Sequence, residues 1–137
     1  MRILVDTSVW SLALRRKETV DDPWSRELEE LIRELRACMI GPVRQELLSG
    51  IRSQEQFAKL KQRLSAFPDL VLASEDYERA AWAFNLCRSQ GIQGSNTDFL
   101  ICAVAERRDL SVLTSDHDFT HYSRVLGISL HPSRFAH

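Results

Sequence analysis

Apolar positions along this chain alternate between two rhythms. Short unbroken apolar runs read as buried strands, and stretches with an apolar residue every three or four positions read as helices packed on one side. Residues 2–6 (RILVD) predict a short strand, and 8–16 a helix that Thr7 or Ser8 can cap. Asp22-Pro23 opens a second helix, with proline at the first helical position. Trp24, Leu28, Leu31, Ile32 and Leu35 then recur at helical spacing to about residue 37. Residues 38–40 predict a strand, and Gly41-Pro42 turns the chain into a helix that stops near Gly50. A helix over 53–66 carries Phe57, Leu60 and Leu64, with Phe67 just beyond; 70–72 predicts a strand. A long helix over 74–90 places Tyr77, Ala81 and Phe84 on one side and ends at Gly91. A helix over 96–108 starts at Ser95 or Asn96, followed by a strand over 111–114, a short helix over 116–122, a last strand over 128–130 and a polar tail.

Strands that alternate with helices argue for an α/β three-layer domain, a mainly parallel sheet flanked by helices. The 137 residues amount to one domain spanning 1–137, with no repeat, linker or low-complexity stretch. A chain of this size buries about two thirds of its unfolded surface and needs no staples. The three cysteines, Cys38, Cys87 and Cys102, lie in apolar surroundings without CxxC spacing, which reads as reduced core thiols. No apolar run approaches the roughly 20 residues that cross a bilayer. The chain opens directly into a strand rather than a signal peptide, so a cytoplasmic protein is expected. A net charge of -1, from 18 basic and 19 acidic residues, does not announce a nucleic-acid binder, although balanced totals can hide a basic rim around an acidic centre.

Four isolated acids change this picture. Asp6, Glu46, Asp98 and Asp116 each end or interrupt a segment that otherwise looks like core. Carboxylates rarely sit there without compensation. In open parallel sheets, ligands bind outside the carboxyl ends of the strands. Asp6 ends the first strand and Asp116 follows the strand at 111–114; Asp98 and Glu46 lie near the starts of helices that begin at that edge. Asp98, Ile101, Cys102 and Ala105 share one helix face, so Asp98 tops the stripe that packs on the sheet, and Glu46 borders the apolar face carrying Val43 and Leu47. Each acid also has a plain structural reading. Asp6 can be a turn residue, Asp98 a first-turn aspartate facing the helix dipole, Asp116 or Asp118 a helix cap, and Glu46 an exposed charge. Convergence of all four at one sheet edge is the simpler account.

Two carboxylates about 4 Å apart repel by roughly 4 kcal/mol at an effective dielectric near 20. A hard divalent cation, Mg²⁺ or Mn²⁺, relieves that repulsion, accepts all-oxygen ligands and keeps water that can attack a phosphodiester. Asp6 and Asp98 are the first candidate ligands and Asp116 a further one. Glu46 is placed to orient or deprotonate the water.

These segments resemble the motifs of PIN-domain ribonucleases. The resemblance rests on Asp6-Thr7-Ser8-Val9, on Glu46 in its helix, on residues 97–103 (TDFLICA) and on residues 114–119 (TSDHDF). Size and element order are most similar to VapC-type toxins of prokaryotic toxin–antitoxin pairs, over essentially the whole chain. The resemblance implies a Mg²⁺- or Mn²⁺-dependent endoribonuclease acting on structured RNA such as tRNA or rRNA. It also implies a homodimer and a small VapB-like antitoxin that blocks the site. It carries the acidic quartet onto Asp6, Glu46, Asp98 and Asp116, places Ser8 and Thr114 where site-lining hydroxyls occur, and matches Asp118 to an additional acid. The segment before Asp98, GIQGSNT, is more polar than in many members.

A polyanion needs cations around an acidic centre. Arg44 and Arg52, near Glu46 in sequence, are the candidate phosphate contacts, with Arg15, Arg16 and Lys17 as further cations; Arg107 and Arg108 are assigned to the helix dipole. Trp10, Leu14, Trp24 and Trp82 either fill the core or line a dimer or antitoxin surface. Other chemistries lack their residues. His117 and His121 are spaced for a metal but have neither HExxH nor a cysteine partner. No G-x-S-x-G, Walker A or G-x-G-x-x-G is present. A phosphoacceptor domain would want paired acids after the first strand and a late lysine, and a DxD phosphatase would want an acid where Ser8 stands. The competing reading is a catalytically silent PIN-like scaffold that binds RNA or protein.

Overall fold

The computed structural model describes residues 1–14 and 22–136. Arg15, Arg16 and Lys17, and the end of the helix expected over 8–16, lie outside the described residues. In chain order the elements are β1 (Ile3–Val5), α1 (Thr7–Leu14), α2 (Pro23–Arg33), β2 (Ala37–Cys38), α3 (Gly41–Leu48), α4 (Gln54–Leu64), α5 (Ser74–Ser89), α6 (Asn96–Arg108), β3 (Ser111–Leu113) and α7 (Asp118–Leu126). The strands form a parallel sheet in the order β2-β1-β3, with Leu4 opposite both Cys38 and Val112. The central strand is apolar throughout because helices cover both faces of a parallel sheet, and Ile3, Leu4 and Val5 are all buried.

Two expected strands shrink to single bridges. Next to the expected strand at 70–72 there is only the pairing of Asp69 with Met39, and 128–130 contributes only that of Leu130 with Val112. Proline bounds each bridge on one side, since it brings no N–H to a ladder. Pro68 precedes one bridge, and Pro132 follows the last ladder bond, His131 N–H to the Val112 carbonyl at 2.8 Å.

The helices follow the periodicity with two corrections. α2 stops at Arg33, and Leu35, expected on its apolar stripe, is 88% exposed in the left-handed conformation. Leu35 N–H reaches the Ile32 carbonyl at 3.1 Å and Arg36 N–H the Leu31 carbonyl at 2.8 Å, the paired bonds of a Schellman stop. On α5 the buried positions are Asp76, Ala80, Ala83 and Cys87, not the expected Tyr77–Ala81–Phe84 side; Tyr77 is exposed. The small residues Ala80 and Ala83 let α5 lie against α6. Asp76 tolerates burial because it accepts from Ala73 N (2.8 Å), Arg107 (2.5 Å) and Arg108 (3.2 Å). Arg107 and Arg108 therefore serve an inter-helix ion pair rather than the helix dipole alone.

Trp10 lies in the core against Phe67, with ring centroids 4.9 Å apart, and Trp24 is half-buried. Trp82 is exposed beneath the Arg79 guanidinium. All three cysteines are buried free thiols. Among the described residues no helix is long and apolar enough to cross a membrane.

Candidate functional site

β1 delivers Asp6 to the carboxyl edge of the sheet. The Asp6 N–H continues the ladder to the Leu113 carbonyl (2.9 Å), while its own carbonyl accepts from Val9 (3.1 Å) and Trp10 (3.3 Å) and so starts α1. The side chain is only 4% exposed. Its Oδ2 accepts from Ser8 Oγ (2.7 Å) and Thr114 Oγ1 (2.8 Å). The same hydroxyls brace the facing loop, Ser8 Oγ accepting from Ser115 N (3.2 Å) and Thr114 Oγ1 from Asp116 N (3.0 Å). Burial pushes the Asp6 carboxyl above its ordinary range, the two hydroxyl bonds oppose the shift, and the Asp116 charge adds to it.

Asp98 sits in the first turn of α6, where Ser95 caps the helix by accepting Asp98 N–H at 3.1 Å. It is half-buried, and its Oδ2 accepts from the Tyr122 hydroxyl at 3.0 Å. Burial lifts its pKa to about 6, against the Tyr122 bond, with the charges of Asp6 and Asp116 raising it further. Asp6, Asp98 and Asp116 thus act on one another electrostatically. Asp116 also keeps its plain role, since its Oδ1 accepts from Asp118 N (2.9 Å) at the start of α7.

Glu46 is exposed on α3 and joins the group through Thr7, whose hydroxyl donates to Glu46 Oε1 at 2.7 Å. Asp118 is exposed in the first turn of α7. Arg44 is turned away from the acids. Its guanidinium donates to Asp69 (3.0 Å), to the Leu64 carbonyl (2.9 Å) and to the Phe67 carbonyl, so it ties α3 to the end of α4 instead of waiting for a phosphate. Arg52 is exposed just before α4. His117 and His121 are both exposed.

Among the described residues no three His, Cys, Asp or Glu side chains form a ready-made metal cage. The donor chemistry nevertheless fits a hard cation. The acids offer only oxygen, burial at Asp6 and Asp98 disfavours an uncompensated negative charge, and such ions retain several waters instead of demanding a full protein cage. Sequence reasoning assigned Thr7 only a capping role and did not single out Tyr122. A hydroxyl beside an acid in sequence is the one signal available for Thr7; none marks Tyr122.

The PIN-domain family model matches residues 3–125. The chain belongs to the PIN-domain family. The solved structures similar to this PIN domain include FitAcB from Neisseria gonorrhoeae, at 21% identity and a TM-score of 0.74, covering 95% of this chain and 96% of that one. VapBC2 from Rickettsia felis, bound to a DNA fragment from its promoter, is similar at 18% identity and a TM-score of 0.73, covering 96% and 98%. A toxin–antitoxin complex from Klebsiella pneumoniae is similar at 18% identity and a TM-score of 0.61, covering 85% and 89%. At these identities the likeness to this PIN domain is one of fold. No curated protein sequence matches the chain.

Proposed function

We propose that this PIN domain is a Mg²⁺- or Mn²⁺-dependent endoribonuclease and the toxin of a type II toxin–antitoxin pair, cutting structured RNA such as tRNA or rRNA in the cytoplasm. The observation that carries the reading is the hydrogen-bonded group at the carboxyl edge of the sheet, where Ser8 and Thr114 hold Asp6, Thr114 also braces Asp116, and Tyr122 holds Asp98. Asp6, Asp98 and Asp116 would hold the cation. When bound, that ion would stabilise charge on the phosphate and make a coordinated water more acidic. Glu46, steered by Thr7, orients the attacking water or takes its proton. Ser8 and Thr114 keep Asp6 in one orientation and line the approach, Asp118 stands at the rim, and Arg52 contacts the RNA backbone. The similar structures support an antitoxin partner, since the Klebsiella structure is a toxin–antitoxin complex. A VapB-like chain and a second copy of this chain are the proposed partners.

A silent scaffold that binds RNA or protein is the second reading, favoured by the lack of a preformed three-ligand cage among the described residues. Cleavage separates the two. Purified chain, stripped of any partner, is incubated with total cellular RNA and Mn²⁺ or Mg²⁺, beside EDTA and an Asp6→Ala/Asp98→Ala variant. Discrete cuts that vanish with EDTA and fall more than about 100-fold in the variant are expected, because several kcal/mol of charge stabilisation is lost. Intact RNA from well-folded protein would leave the scaffold reading.

A further inference from the structure

One buried hydroxyl links the glycine-bearing loop at 91–95 to Asp98. The Tyr122 ring is fully buried between Phe99 and Phe119, with centroid separations of 5.0 Å and 5.1 Å. Its position is therefore set by packing. Its hydroxyl has two acceptors in range, Asp98 Oδ2 at 3.0 Å and the Gln93 carbonyl at 3.3 Å. The carboxylate is both nearer and charged, so it takes the single proton in a charge-assisted bond. Gly94 closes the other side. A Cβ at residue 94 would overlap the Tyr122 hydroxyl, come within 2.8 Å of Cζ, and lie 3.0 Å from Phe99 Cε2. Gly94 does not adopt a positive φ, so glycine is required by space and not by backbone conformation.

We propose that Tyr122 is a positioning residue for Asp98, and that Gly94 is the notch that seats its hydroxyl. The inference rests on the metal-dependent reading of the site. A carboxylate already held by a rigid donor has less rotamer freedom to lose when it becomes a ligand, and outer partners of this kind tune affinity without touching the ion. Tyr122→Phe keeps the packed ring and removes only the O–H. Gly94→Ala keeps the O–H and crowds it, so that its geometry to Asp98 must change or the loop must move.

Mn²⁺ titration by calorimetry, beside steady-state RNA cleavage and thermal melting, tests this on the purified chain. Tyr122→Phe is expected to weaken Mn²⁺ binding roughly 10- to 100-fold and to lower kcat while leaving KM for RNA and the fold in place. Gly94→Ala should show the same pattern. Folded Tyr122→Phe protein with wild-type Mn²⁺ affinity and kcat would overturn the positioning role alone. Wild-type protein that neither binds Mn²⁺ nor cuts RNA would overturn the metal-dependent reading and this role with it. If Tyr122→Phe does not fold, Gly94→Ala decides: unchanged Mn²⁺ affinity there is the overturning result.

Discussion

Asp98 answers to two opposing demands, a place in the core and a negative charge. Folding raises it from the ordinary 3.8 to about 6, so the folded chain binds a proton there more tightly than the unfolded chain. Stability from this group is then fully present below about pH 4 and is lost as pH rises through 6. Asp6 shifts in the same direction and steepens the loss. Metal-free protein in EDTA should therefore melt at falling temperature from about pH 4.5 to 7.5, and Asp98→Asn should flatten that slope. Parallel melting curves for the two proteins would remove the argument. The acids were legible in the sequence because a lone carboxylate at the end of an apolar run is conspicuous. Thr7 and Tyr122 were not: a hydroxyl on a helix reads alike whether it caps the chain, faces water or holds an acid.

At the scale of elements, the stop of α2 shows where local pattern and packing part. Leu35 fits the helical stripe, yet the chain turns there with a φ of 59° and leaves the side chain in solvent. A residue with a Cβ is strained by about 1–2 kcal/mol in that conformation. Leu35→Gly removes the strain and exposes no core, at the expense of a more flexible unfolded chain. A gain of roughly 0.5–1 kcal/mol in urea unfolding is expected, and a loss would show that Leu35 makes contacts that matter. The helices were otherwise legible to within a few residues, because caps and glycines punctuate them: Ser95 caps α6 where a start was expected, Ser53 caps α4, and Gly91 ends α5 with a φ of 78°. The face of α5 was not legible, because alanine and a buried aspartate set it and neither stands out in a hydropathy pattern.

Across the whole molecule, the polar tail proves to be an anchor. Glu27 on α2 is fully buried, and Arg134 donates to it through both its backbone N–H (2.9 Å) and its guanidinium (3.0 Å), with His131 at 2.8 Å. Burial works against the charge, yet these bonds outweigh it and pull the Glu27 pKa down from 4.5 to about 2. The stability this contributes is present above 4.5 and lost as pH falls toward 2. Glu27→Gln should cost on the order of 2–3 kcal/mol at pH 7 and progressively less toward pH 3. Urea unfolding at both pH values checks this, and equal losses would count against the ion-pair account.

Periodicity is a local property, so the sequence alone determined the order of the helices and of the three sheet strands, the place of Asp6 and Asp116 after their strands, and the motifs of a PIN domain. Partnership is not local. Thr114 reaches Asp6 across 108 residues of chain and Arg134 reaches Glu27 across 107, and no local spacing encodes such a meeting. Tertiary structure alone decided that Arg44 serves Asp69 and not the acids, that Glu46 hangs on Thr7, and that Tyr122 holds Asp98. The reason is common to all three: a side chain's charge and hydrogen bonds are settled by whatever the packed core leaves beside it.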